Sequence, residues 1–360
     1  MSAMRAMAMI LWVGTMAWGQ PATAPADVVA GFLAQCAARS EAAEKAGNLT
    51  VLGRDGWMFF APELRHLSVG TFWGPDAARV SRASRPQNAD PLPVIVDFAA
   101  QLKAAGIELL FVPVPAKAAV YPDMLSDKVR GPLPRVDTAH AAFYEALRNQ
   151  GVQVLDIQPA LAAARADAGS PPVYCRQDTH WSPYACQLVA RLIAERIGSR
   201  PWLKDLPRLR LQAQEAEMQI TGDLWRNLKA DAPPKETLKL RTVAMQGGGT
   251  PEPVKPDATS PIILLGDSHT LVFSIGEELH GTGAGLADQL ALELGVAVDL
   301  IGVRGSGATP SRVSLYQRSK SNADYLKTKK LVIWCLSVRE FTESTNGWQK
   351  LPIAPKVNQP

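Results

Sequence analysis

The sequence predicts an α/β protein built on a mostly parallel central sheet. Three observations carry that reading. From Pro91 onward, helical stretches alternate with short apolar runs, the rhythm of parallel βαβ units. Several of those runs, Ile107 to Val114 and Ile262 to Leu265 among them, are apolar enough for buried strands. The 360 residues are 47% apolar and 20% charged, with 27 Gly and 28 Pro, which suits a folded chain with ample core. That composition excludes disorder, collagen and coiled coil for the whole chain. One large domain with an insertion accommodates the length. The formal charge of +4 comes from 38 basic and 34 acidic side chains mixed along the chain. No basic block or stripe is present, so nucleic acid is not an expected partner.

The N-terminus reads as a targeting segment. Met1 to Arg5 carries one positive charge, and Ala6 to Trp18 is uncharged and apolar. That run is shorter than the roughly 20 residues a spanning helix needs. It closes on Ala17-Trp18-Gly19, small residues around a large one, as a signal-peptidase site does. Residues 1–19 are therefore expected to be a signal peptide of an exported protein, the other reading being an uncleaved membrane anchor. No later apolar run reaches spanning length. Export permits disulfides, and Cys36, Cys175, Cys186 and Cys335 form an even set compatible with one or two bridges. Their spacing matches no zinc site.

Asp27 to Ala46, Ala-rich and free of Pro and Gly, is the first expected mature helix. Val51-Leu52 and Trp57 to Phe60 flank Gly53-Arg54-Asp55-Gly56, whose Asp-Gly pair predicts a hairpin. A helix over Val94 to Ala105, a strand over Ile107 to Val114, a helix over Thr138 to Gln150 and a strand over Val152 to Ile157 follow. Ser182-Pro183 supplies an N-cap and a first-turn proline for a helix reaching about Ile197. Arg208 to Gly249 is less regular, with alternating pieces such as Leu238 to Val243, and reads as a β-containing insertion; Gly247 to Pro261 reads as a loop. The α/β rhythm then returns with strand Ile262 to Leu265, helix Leu286 to Leu294, strand Val296 to Ile301 and strand Leu331 to Cys335. Beyond Trp348 a frayed tail is expected over 349–360. The main domain is thus expected over 27–345.

Two segments carry chemistry. Gly266-Asp267-Ser268-His269-Thr270 follows a buried strand, and residues just beyond the carboxyl ends of parallel strands face the ligand crevice. A serine there is presented to substrate, and the N–H groups of the following turn favour negative charge developing on an acyl oxygen. The plainer alternative is that Asp267 and Ser268 only cap the turn. Asp178-Thr179-His180-Trp181 supplies what a serine nucleophile needs, a base and a carboxylate to orient it. Positions i and i+2 of extended chain face the same way, so Asp178 and His180 can lie side by side. His269 is adjacent to Ser268 and poorly placed to be its base, so it is expected to support the site. His66, His140 and His280 have no constellation around them and default to surface or satisfied-core positions. A two-metal reading through Asp178, His180, Asp267 and His269 lacks the Gly-Asn-His and Gly-His-x-His segments such sites carry, so no metal and no cofactor is expected.

On these residues the chain resembles the alginate O-acetyltransferase proteins of the AlgJ and AlgX type, which carry an SGNH-hydrolase-like domain. The resembling segments are Gly53 to Phe60 with Glu63-Leu64-Arg65, Val112 to Lys117, Asp178 to Trp181, Thr221 to Leu224 and Gly266-Asp267-Ser268. The order is the specific part, since ordinary SGNH esterases place their Asp-x-x-His after the serine. The resemblance implies a three-layer sandwich and a periplasmic enzyme that moves acetyl onto an exopolysaccharide. Ser268 would be the nucleophile, His180 the base and Asp178 its partner. It also implies a membrane-bound O-acyltransferase as acetyl supplier and other polysaccharide secretion proteins as partners. The length leaves no room for the carbohydrate-binding module of the AlgX type, so the AlgJ type is nearer. Ile333-Trp334-Cys335 and Val338-Arg339-Glu340 keep only the tryptophan and arginine of the family's C-terminal pattern. For the oxyanion the Ser268 N–H and a donor from Val303 to Gly307 are expected, with Arg304 and Gly305 as candidates. Lys117, Trp181, Trp334 and Arg339 are candidate substrate contacts, and Trp57 a further sugar-stacking candidate. An esterase releasing acetyl to water and a non-catalytic polysaccharide-binding scaffold are the competing functions.

Overall fold

The computed structural model describes residues 26–129, 134–228, 235–247 and 252–355. The expected signal peptide lies outside them. The first predicted turn forms as expected: β1 (Thr50–Leu52) pairs antiparallel with β2 (Met58–Phe60), Leu52 opposite Met58. Asp55 and Gly56 supply the two left-handed residues that such a tight connection requires.

Next in the chain come β3 (Glu108–Val114) and β4 (Gln153–Val154), then β5 (Leu211–Ile220), β6 (Glu236–Met245) and β7 (Glu252–Pro253), and finally β8 (Ile262–Gly266), β9 (Asp299–Gly302) and β10 (Leu331–Ser337). Five of these make the central sheet, in the order β4-β3-β10-β8-β9, and every pairing in it is parallel. β10 lies in the middle and is buried along its whole length, as a strand covered on both faces must be. Alternation of its side chains shows the two layers. Trp334 packs edge-on against Phe98 of helix Leu92–Ala104, with Arg312 of helix Thr309–Ser321 over its ring. Cys335, one residue on, faces the opposite layer, where Cys186 of helix Pro183–Ile197 is an electrostatic neighbour. Ser182 caps that helix as its sequence predicts, accepting from the Ala185 N–H at 3.2 Å with Pro183 in the first turn. The parallel order leaves the carboxyl ends of β3, β8, β9 and β10 on one rim, and the loops leaving them bring Lys117, Ser268, Gly307 and Arg339 there.

Five expectations need correction. The insertion is a regular arm: β5 and β6 run antiparallel over ten residues each, Leu211 opposite Met245 and Ile220 opposite Glu236. Its irregular appearance arises because most of β5 faces solvent and its polar Gln and Glu positions dilute the weak alternation of Ala216, Met218 and Ile220. The strand predicted over Val296 to Ile301 starts at Asp299, and the one over Val152 to Ile157 is only two residues long. The cysteines form no bridge: all four are free and buried. Burial pushes the Cys36 thiol up to about 12 and the other three higher than usual as well, so they pack as small apolar side chains. Of the expected tail, residues 349–355 are docked, the Ile353 N–H donating to Gln101 and its carbonyl accepting from Ser319 while Arg312 holds the Gln349 carbonyl; residues 356–360 lie outside the described residues. Among the described residues no helix is long and apolar enough to cross a membrane.

Candidate active site

The serine turn begins at the end of β8, where Gly266 pairs with Cys335 of β10. A Cβ on Gly266 would stand 1.8 Å from the Cys335 carbonyl oxygen, so only glycine lets the strands close before the chain turns. Asp267 then caps the turn, accepting from the His269 N–H at 2.8 Å, and also accepts the Ser337 N–H from β10 at 2.8 Å. One carboxylate thus ties the serine turn to the central strand. His269 donates Nδ1–H to the same carboxylate at 3.1 Å and lies beside the His180 ring, a supporting position. Ser268 is left at the rim with 6% of its surface exposed.

The Asp178 segment meets it from a separate loop. The Cys175 N–H donates to the His180 carbonyl and Tyr174 bridges Trp181, which folds residues 174–181 back on themselves. Asp178 Oδ1 accepts the His180 N–H at 3.0 Å and its Nδ1–H at 2.6 Å. With Nδ1 protonated, Nε2 is the free acceptor, and Ser268 Oγ lies 2.8 Å from it. Asp178 Oδ2 accepts from the Asp223 N–H and from His280 Nε2–H, each at 2.9 Å. Close approach again needs glycine: a Cβ on Gly222 would lie 1.9 Å from the Gln177 carbonyl oxygen. The Asp223 carboxylate in turn takes the Thr179 N–H at 2.7 Å and hydroxyl at 2.6 Å.

Burial disfavours both charged forms of the Asp178–His180 pair, but their mutual attraction and hydrogen bond outweigh it. The Asp178 carboxyl is held well below the usual carboxylate range and His180 is raised above the usual imidazole range. His269, where burial dominates, is lowered. Two histidines on two aspartates are therefore driven in opposite directions, and His180 is the more basic.

The other candidate residues divide sharply. Lys117 is buried and its ammonium donates to the carbonyls of Met58, Cys175 and Asp178 at 2.9, 2.8 and 2.5 Å. All three of its protons are used inside the protein, so it braces the Asp178 loop rather than meeting substrate. Trp181 and Trp334 have no exposed surface; Trp334 donates its indole N–H to the Gly307 carbonyl, and Trp181 packs edge-on against His269. Trp57 is buried and stacks on Tyr121. Sugar stacking by these three rings is therefore corrected to core packing. Arg304 is partly exposed and pairs with Glu277 and Glu278, and Gly305 is exposed. Gly307 is the glycine that reaches the serine turn: a Cβ there would lie 2.8 Å from the Asp267 backbone nitrogen. Among the described residues neither the Ser268 nor the Gly307 N–H has an acceptor. Arg339 is buried beside the site, 3.2 Å from Ser337 Oγ and 4.0 Å from Glu63, with its guanidinium over Phe60. Its charge helps hold Asp267 ionised.

Sequence reasoning missed His280 and Asp223 as partners of Asp178. His280 stands 102 residues away with no motif around it, whereas Gly222-Asp223 lay within the Thr221 to Leu224 segment. Asp178, His180 and Asp223 offer ligand atoms within 4.8 Å of one another, but each of those atoms is already in a protein hydrogen bond. Alongside the Asp178 loop opens a cavity of about 520 Å³, walled by Arg176, Gln177, Tyr184, Lys235 and Lys239 among others. Glu236 also faces it, its carboxylate accepting the Arg176 and Gln177 N–H groups.

The family model for the SGNH hydrolase-like domain of acetyltransferase AlgX matches residues 50–338. A curated relative, the probable alginate O-acetylase AlgJ of Pseudomonas fluorescens, is 27% identical over 229 residues, 61% of this chain and 53% of the relative. The chain thus spans about half the length of the curated relatives it matches. The solved O-acetyltransferase domain of Pseudomonas putida AlgJ superposes with a TM-score of 0.60 at 22% identity, covering 82% of this chain and 93% of that one. Pseudomonas aeruginosa AlgX superposes at 0.56 with 18% identity, covering 80% and 61%. At such identities the likeness concerns the fold. With its parallel sheet, its serine turn after β8 and a family match across residues 50–338, the chain belongs to the AlgX-type SGNH hydrolase-like acetyltransferase domain family.

Proposed function

We propose that the protein is an O-acetyltransferase that moves acetyl groups onto hydroxyls of an alginate-like exopolysaccharide through an acetyl-serine. The carrying observation is the chain of contacts from Ser268 Oγ to His180 Nε2 at 2.8 Å and from His180 Nδ1 to Asp178 at 2.6 Å. His180 takes the Ser268 proton as Oγ attacks the acetyl carbonyl of the donor. The oxyanion forms against the Ser268 and Gly307 N–H groups. Collapse expels the donor's leaving group, which receives the proton from His180, and acetyl remains on Oγ. A sugar hydroxyl then enters, His180 removes its proton, and attack on the acetyl carbonyl frees Ser268, which recovers that proton.

The N-terminal segment supports export, and the relatives' names support a part in alginate biosynthesis; a periplasmic site of action, other polysaccharide secretion proteins as partners and a membrane-bound O-acyltransferase as acetyl supplier belong to the same proposal. A chromogenic acetyl ester supplied with oligosaccharide tests this reading. Transfer should yield acetylated sugar, lost in S268A while that variant remains folded. Acetate release without any sugar adduct makes the protein an esterase, and polymer acetylation in cells left unchanged by S268A makes it a scaffold.

A further inference from the structure

His280 carries an inference that none of the sequence motifs suggested. It sits in a short knot of chain, residues 273–284, in which Phe273 exchanges backbone hydrogen bonds with Leu279 and Ala284, Gly276 donates to Gly281, and Ile275 bridges Thr282. Four non-glycine residues among those described have a left-handed φ, and three of them, Phe273, Glu277 and His280, are in this knot. His280 has φ +70° and ψ −106°, a conformation that side chains rarely adopt. Strain of this kind persists only where the surroundings over-determine it, and it gathers at functional sites. Here its result is specific. The His280 ring, stacked on Phe273 at 5.6 Å, aims Nε2 at Asp178 Oδ2, 2.9 Å away, with only 7% of the side chain exposed.

We propose that His280 is a positioning residue of the catalytic centre: a second imidazole that fixes the rotation of the Asp178 carboxylate so that its other oxygen holds His180 in register with Ser268. This rests on the reading of Ser268, His180 and Asp178 as the catalytic set. The Asp178 carboxylate is pinned at both oxygens, by His180 on Oδ1 and by the Asp223 N–H and His280 on Oδ2. The Asp223 N–H lies on one backbone; His280 adds a donor from an independent loop, and two separate anchors on one oxygen define an orientation that one does not. The same knot reaches the loop after β9, since Arg304 pairs with Glu277 and Glu278. A strained non-glycine residue is retained where a glycine would sit more comfortably, which the hydrogen bond accounts for.

Three variants of the full chain separate positioning from mere packing, with the chromogenic acetyl ester as substrate. H280F keeps a ring against Phe273 but has no donor; its kcat should fall about tenfold or more at unchanged KM. H280Q places a side-chain N–H near the same point and should recover most of that loss. H280G relieves the backbone, so its melting temperature should hold or rise while kcat falls as in H280F. The proton on His180 Nδ1, observed by NMR, should shift or broaden in H280F yet persist in S268A. Full activity and an unmoved Nδ1 proton signal in H280F overturn the proposal, as does failure of H280Q to recover activity when folded. Failure of the catalytic reading appears differently, as turnover that survives in S268A.

Discussion

Replacing Lys117 by methionine removes a buried ammonium of similar length and leaves the carbonyls of Met58, Cys175 and Asp178 without their donor. Each unsatisfied buried carbonyl costs about 1 kcal/mol or more, so the three together cost about 3 kcal/mol. Relief from burying the charge offsets part of this. A net loss of about 2 kcal/mol lowers the melting temperature of a chain this size by about 3 °C. The same substitution frees the Asp178 backbone, so kcat for a small acetyl ester should fall while KM stays put. Thermal unfolding and steady-state ester hydrolysis measure both effects on one preparation. A K117M variant that melts like the parent refutes the bracing role. So does one that raises KM with kcat intact, because that pattern belongs to a side chain that binds substrate.

Two further outcomes follow from the buried histidines. The base must be neutral to act, and Asp178 raises His180 above the usual imidazole value of about 6.5. Ester turnover should therefore fall on acidification with a midpoint above about 6.5, and a midpoint at 6 or below contradicts the pairing. Away from the site, His140 donates Nε2–H to His66 Nε2 at 2.7 Å, because His66 Nδ1–H is committed to Thr342, whose hydroxyl is committed to Glu343. Burial, aided by Arg135, lowers His140 to about 3, and burial likewise lowers His66. The folded chain keeps His140 neutral while the unfolded chain protonates it below about 6.5, so its stabilising contribution is full above that pH and drains away toward pH 3. Between pH 7 and 5 the parent should lose about 2 kcal/mol more than H140Q in urea unfolding; equal losses would show that His140 is not held neutral.

The parts of the fold and site that were legible in the sequence are those whose signal is local. The Asp-Gly turn, the Ser182 cap and the apolar run into Gly266 each specify their own geometry within a few residues. Asp178 and His180 were legible for the same reason, because an i, i+2 pair needs only its own segment to bring two side chains together. What was not legible depends on chain packing from afar. Helix Thr309–Ser321 is mostly polar and Ser-rich, so little in its pattern marks it as helical, although its Arg312 is buried over Trp334. The tryptophans resemble sugar platforms until the sheet covers them. Lys117 reads as a ligand contact in sequence, and only the convergence of three remote carbonyls turns it inward. The glycine that meets Asp267, Gly307, stands two positions beyond the candidate Gly305, since both lie in one loop and only the fold decides which approaches the serine turn.

Covalent capture tests the centre of the account. Brief incubation with an activated acetyl ester, followed by peptide mass spectrometry, should add about 42 Da to the peptide containing Ser268. The increment should vanish in S268A and accumulate more slowly when His180 is replaced. Turnover of the ester with Ser268 never acetylated, or with the acetyl group on another side chain, would contradict it.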